Sequence, residues 1–308
     1  MKARIFLFCA LFSFLSISHL QALRISIPFK LAGKMIIFPA TVNGISGNFI
    51  LDTGIPHAVL NAAYFDGQKV DRVYSSVLGA IPKIKATHAK VQLKSLLWKG
   101  VYAEILPLEH LETIKGMPIH GLIGGRMLRN YMLWIDYEQQ LIWLEKEGEQ
   151  WETSFFPLRA GEAMVEQSFR FKNGSPSIEM ELGNTSYLFS VDTGAETNVI
   201  DTKYQTDFAP FFNLERQKVL TSFTKTADRI TSTLIYDMQV NGIKCQPMIS
   251  TFLALSDWNT STKGPKVAGI LGYEFLHQFR ICINFRSRTL YLIPNDKLQK
   301  RALYMTKK

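Results

Sequence analysis

The sequence predicts an all-β protein of two related lobes about a pseudo-twofold axis, with a groove between them. Three observations lead there. First, the 308-residue chain repeats itself, a feature worth seeking before any motif. At a shift of 140, residues 35–64 lie without a gap over 175–204, setting Ser46 on Ser186, Phe49 on Phe189, Asp52-Thr53-Gly54 on Asp192-Thr193-Gly194 and Tyr64 on Tyr204. Second, residues 120–144 lie over 268–292 at a shift of 148, pairing Gly121 with Gly269, Gly124 with Gly272 and Ile135 with Ile283, which puts eight extra residues in the second copy. Third, short apolar and β-branched runs such as MIIFPATV, YLFSV and RICINF are bounded by turn pairs such as Asn43-Gly44 and Asn241-Gly242. That is the pattern of strands, not helices.

Taken in chain order, Lys2 and Arg4 precede an apolar run from Ile5 to about Ile17, with the small Ala22 beyond it. This reads as a signal peptide over 1–22, since the run is short for a membrane-spanning helix; an uncleaved anchor is the other reading. Cys9 lacks the small residues that precede a lipoprotein site. An N-terminal β lobe is expected over 23–150 and a C-terminal β lobe over 151–308, joined at the polar stretch EKEGEQWETS, Glu145 to Ser154. Short helices are expected in RMLRNYM and YEFLHQF, after Gly125 and Gly272, with turns after Asn61 and Asp201. Tyr74–His88 and Leu220–Thr233, rich in Gly, Ser and Thr, are expected to form unequal, mobile cover hairpins, plain surface loops being the alternative. Trp134, Trp143 and Tyr291 are assigned to strands that follow the glycine elements. Cys245 and Cys282 form either a bridge, which export would permit, or two buried thiols.

Composition narrows the class. With 47% hydrophobic and 20% charged residues, the chain is neither disordered nor a disulfide scaffold. Its formal charge of +9 falls by two if Lys2 and Arg4 are removed, and the basic residues are scattered except in the tail from Lys297 to Lys308, so no nucleic-acid partner is expected. No HExxH or CxxC occurs, and no metal or cofactor is expected. Gly121–Gly125 lacks the Lys-Ser/Thr of a phosphate loop, and GxSxG is missing.

Asp-Thr-Gly arises by chance on the order of once in a few thousand positions. One copy reads as a turn ending a strand; two, each after an apolar strand and each inside the repeat, call for more. If the lobes pack about a twofold axis, Asp52 and Asp192 meet across it, and two such close carboxylates cannot both ionise cheaply, so one keeps a proton. The pair is then an acid and a base together, able to activate a water held between them and protonate a carbonyl oxygen without a metal or a covalent intermediate. Gly54 and Gly194 allow a tight turn and close approach of backbone.

Phe49-Ile50-Leu51-Asp52-Thr53-Gly54 and Phe189-Ser190-Val191-Asp192-Thr193-Gly194-Ala195 resemble the active-site loops of the aspartic peptidases, and more closely of their retropepsin-like branch, found in bacteria as exported gag-polyprotein-like aspartyl proteases. His120-Gly121-Leu122-Ile123-Gly124 and Ala268-Gly269-Ile270-Leu271-Gly272 resemble the family's hydrophobic-hydrophobic-Gly element, which passes beneath the catalytic loop. The resemblance implies two acid-protease lobes with the active-site groove between them, Asp52 and Asp192 as the catalytic pair, and Thr53 and Thr193 as residues whose hydroxyls cross-brace the loops. Two half-sites in one chain imply an internal dimer and hence a monomer. The first loop departs from the family pattern at Ile55-Pro56-His57. Ile55 and Ala195 both lack the hydroxyl that, in strongly acid-active relatives, favours the charged carboxylate, so a less acidic working range is expected. His57 reads either as a group tuning the pair or as an ordinary loop histidine.

The expected function is therefore an exported aspartic endopeptidase, periplasmic or extracellular and not stably inserted in a membrane after cleavage, acting on a peptide or protein substrate in extended form. A degenerate peptide-binding protein and a structural protein that keeps its aspartates as turn residues are the alternatives.

Overall fold

The computed structural model describes residues 24–71, 73–76, 79–82, 84–146, 162, 164–221, 226–256, 259, 266–295 and 298. The expected signal peptide and most of the basic tail lie outside them. The described chain is mostly strand, arranged in sheets of six, eight, ten and two strands, with a few short helices. No described helix is long and apolar enough to cross a membrane.

Each copy of the repeat builds the same core. Met35–Val42 and Ile45–Asp52 form a hairpin about Asn43-Gly44, whose φ values of 51° and 86° suit the two-residue turn that Asn-Gly favours. The strand Gly121–Gly124 then slots in parallel to Ile45–Asp52, with Gly124 opposite Asp52, and antiparallel to Ala58–Asn61, with Leu122 opposite Val59. In the second half Ser175–Leu182 and Thr185–Val191 form the hairpin. There Gly269–Leu271 runs parallel to Thr185–Val191 and antiparallel to Asn198–Asp201, with Ile270 opposite Val199. Both central strands are apolar on both faces because both are covered, and Phe49 and Phe189, partners in the repeat, are fully buried beneath them.

The two halves share one six-stranded sheet. Its order is Arg24–Pro28, Leu141–Lys146, Tyr131–Asp136, Phe279–Asn284, Thr289–Pro294, Val165–Ser168, three strands from each half in mirrored sequence. At its centre Trp134 lies opposite Cys282, the residue 148 positions on and so its own counterpart in the repeat. Trp143 and Tyr291 pack with them in one cluster, on the expected strands. Cys245 and Cys282 are both buried free thiols, which decides between the two readings of these cysteines.

Several elements differ from expectation. After Gly125 only one 3-10 turn forms, Gly125–Leu128, and Tyr131 and Met132 already belong to the next strand. A helix at Glu109–Lys115 was not expected; it ends at Gly116, whose φ of 64° needs no Cβ to accommodate. The stretch expected to link the lobes loses its first two residues to the strand Leu141–Lys146, where Glu145 is held between Arg24 and Met132 and is 2% exposed. The two segments expected as covers lie in hairpins of unequal size, and the end of the first, from Lys85 to His88, belongs instead to the strand Lys85–Leu93 of the eight-stranded sheet. Val73–Ser76 pairs with Gly79–Pro82 as a separate two-stranded sheet, whereas Phe212–Thr221 and Thr226–Ile235 extend the second-half sheet.

Candidate active site

Asp52 ends the strand Ile45–Asp52, and Asp192 directly follows the strand Thr185–Val191. Each loop turns at once. Gly54 N–H donates to Asp52 Oδ1 at 2.9 Å, and Gly194 N–H donates to Asp192 Oδ1 at 2.8 Å. The glycines are also where the loops meet. A Cβ on Gly54 would sit 2.6 Å from Asp192 Oδ1, and one on Gly194 would sit 2.6 Å from Asp52 Cγ. Each loop's missing side chain therefore makes room for the other loop's carboxyl, and any larger residue at either position would force the pair apart.

Thr53 and Thr193 tie the loops together beneath the carboxyls. Thr53 N–H donates to Thr193 Oγ1 at 3.0 Å and Thr193 N–H to Thr53 Oγ1 at 3.1 Å. Each hydroxyl then donates onward into the opposite half, Thr53 to the Val191 carbonyl at 3.1 Å and Thr193 to the Leu51 carbonyl at 2.8 Å. Both threonines are buried, so all four bonds are shielded from water. Such bonds contribute little net when made but cost heavily when one partner is removed.

The carboxyls of Asp52 and Asp192 share a side-chain hydrogen bond, and both are pushed above the ordinary aspartate range, first of all by burial. Asp52, only 4% exposed, also feels the charge of Asp192 and is raised well above that range, despite amide bonds from Gly54 and Ile55 that favour its ionised form. Asp192 is half-buried, and the shared bond favours its ionised form. One proton is therefore held by the pair, and titration belongs to the pair and not to either residue alone. Tyr137, buried and edge-on to Tyr273 at 5.5 Å, has its phenol raised by burial and by the nearby charges of Tyr273 and Asp192.

The glycine elements hold the loops from below. Gly125 N–H donates to the Ile55 carbonyl at 3.0 Å, and its repeat partner Tyr273 N–H donates to the Ala195 carbonyl at 2.9 Å. Beneath Gly124 and Gly272 there is no room for a side chain, because a Cβ would lie 2.8 Å from the carbonyl oxygens of Ile55 and Thr197 respectively.

Glu196, unassigned from sequence, proves to be a contact between the halves. Its Oε1 accepts from Lys34 N–H at 2.8 Å and from Lys115 Nζ at 2.7 Å, while Lys34 Nζ also pairs with Glu274. Its repeat counterpart Pro56 rests instead against Gly174, where a Cβ would meet Pro56 Cβ at 2.8 Å. Each loop thus leans on a turn of the other half, one through charge and one through an apolar ring. His57 places its ring edge-on to Tyr102 at 5.0 Å. Among the described residues no three His, Cys, Asp or Glu side chains gather as a metal would require. No protein-family model and no curated protein matches this chain.

Proposed function

We propose that the chain is an aspartic endopeptidase of the retropepsin-like kind, exported to a periplasmic or extracellular space, whose two lobes are related by a pseudo-twofold axis and enclose a substrate groove. In this reading the ionised member of the Asp52–Asp192 pair takes a proton from a water held between the carboxyls, and the protonated member gives one to the carbonyl oxygen of an extended peptide. The tetrahedral adduct then collapses as the amine leaves with a proton, and the pair returns to sharing one. The observation that carries the proposal is the juxtaposition of two carboxyls from duplicated loops, each seated over the other loop's glycine and braced by the reciprocal Thr53–Thr193 bonds.

A second reading, peptide binding without cleavage, is favoured by one feature: Asp52, in the loop that continues into Ile55-Pro56, is only 4% exposed. The experiment that separates the two incubates wild type, Asp52→Asn and Asp192→Asn with a mixed peptide library between pH 3 and 8. The peptidase reading expects cleavage by wild type, blocked by a statine-type inhibitor, and a loss of at least a thousandfold in either variant. Binding of peptides with no cleavage by wild type would establish the second reading.

A further inference from the structure

The sheet that carries Asp52 places a row of side chains beside it that the second half does not reproduce. Gly124 is opposite Asp52, Ala103 is opposite Ala58 and His88 is opposite Tyr102, so stepping outward from Asp52 the row reads Gly124, His57, Tyr102, His88. Tyr102 is flanked edge-on by both imidazoles, His57 at 5.0 Å and His88 at 5.8 Å between centroids. His57 and Tyr102 are half-buried and His88 is exposed, so the row lies at the surface. The matching row beside Asp192 reads Gly272, Thr197, Ile249, Leu234: Leu234 is opposite Ile249, and Thr197 Oγ1 donates to the Ile249 carbonyl at 3.2 Å. The second half thus carries a small hydroxyl and two aliphatic side chains where the first half carries His, Tyr and His.

We infer that His57, Tyr102 and His88 form a subsite for acidic side chains of the substrate, on one side of the scissile bond only; the inference rests on the peptidase reading above. Two imidazoles, neutral or protonated, and a neutral phenol supply N–H and O–H donors, and a neighbouring cation strengthens them toward a carboxylate. Lys90, exposed and two residues beyond His88 on the same face of its strand, supplies that charge. Glu104, two residues beyond Tyr102 on the same face, is half-buried and is the single carboxylate adjoining the row on these strands. Strands lie ~4.8 Å apart, which sets His57 roughly 10 Å and His88 roughly 19 Å from the strand of Asp52. An extended peptide covers that distance in about three to six residues. The second half offers Ile249 and Leu234 at the same remove, so aliphatic residues are expected on the other side of the bond.

The test profiles cleavage of a random peptide library by mass spectrometry, comparing wild type with a triple variant, His57→Thr, Tyr102→Ile and His88→Leu, in which each residue becomes its own repeat counterpart. Wild type is expected to favour Asp or Glu at least fivefold over Leu about three to six residues from the cut on one side. In the triple variant that ratio falls below twofold and the two sides become alike. Tyr102→Phe and His88→Gln, made singly, keep the packing and should each reduce the ratio by an intermediate amount. A wild type indifferent to acidic residues there, or a folded variant with an unchanged profile, overturns the inference. If wild type cuts nothing, the peptidase reading has failed, and the subsite is judged by fluorescence anisotropy with a labelled acidic peptide. At least tenfold weaker binding by the triple variant supports it and equal binding refutes it.

Discussion

Asp52 and Asp192 are chemically identical side chains in unequal surroundings, the first enclosed and the second more open. Both are raised above the ordinary range, so the folded chain binds these protons more tightly than the unfolded chain does. Their contribution to stability is full below the ordinary carboxyl range and is lost as pH rises through the folded values. Asp52→Asn should therefore be inactive yet at least as stable as wild type at pH 7, as thermal unfolding would show. For the same reason maximal cleavage should fall above the ordinary carboxyl value near pH 3.9, and a maximum below about pH 3.5 would contradict the raised pair. Thr53 bears on stability directly. Thr53→Ala removes the acceptor for the buried Thr193 N–H and leaves it unsatisfied, while the Val191 carbonyl keeps its bond from the Ser175 hydroxyl at 3.0 Å. A loss of roughly 1–3 kcal/mol in urea unfolding is expected.

At the level of elements, the strand Leu141–Lys146 carries a testable oddity. Burial pushes Glu145 up to about 7 from an ordinary value of 4.5, against the opposing pull of Arg24. A carboxyl so raised contributes stability below pH ~4.5 that is lost as pH climbs through 7. Glu145→Gln should abolish that part of the pH dependence, so that wild type loses stability relative to the variant between pH 4.5 and 7; parallel unfolding curves would refute it. Which elements were legible in the sequence follows from local chemistry. The two hairpins that lead to the aspartates announced themselves through apolar runs, the first also through its Asn43-Gly44 turn, and the loops through a repeated Asp-Thr-Gly. The Glu109–Lys115 helix carried signals too, acids in its first turn, Lys115 in its last and Gly116 beyond, but seven residues between strands offer no periodicity to read. Glu145 and Lys146 looked like linker because their polarity marks a loop only when nothing covers it. The contact of Glu196 with Lys34 and Lys115, like the row from His57 to His88, depends on partners brought together from distant parts of the chain, and no spacing encodes it.

For the molecule as a whole, the duplication was readable because the repeat keeps one register through its strands, while the way the copies interlock was not. Three strands from each half complete one sheet, with Trp134 facing its own counterpart Cys282. Unfolding one half would expose the edge of the other, so the halves should behave as a single cooperative unit. A protease site inserted between Lys146 and Val165 tests this. After cutting, the fragments should co-elute in gel filtration and keep peptidase activity, and separation in the absence of denaturant would contradict the shared sheet. The central claim is that two carboxyls, one from each half, hold a single proton between them. Carbon-13 NMR of the aspartate carboxyls, assigned with Asp52→Asn and Asp192→Asn, measures this most directly. The expected result is two linked titration steps, the upper displaced well above pH 3.9 and collapsing to one step in either variant. Two independent titrations near 3.9, each indifferent to loss of the other residue, would contradict it.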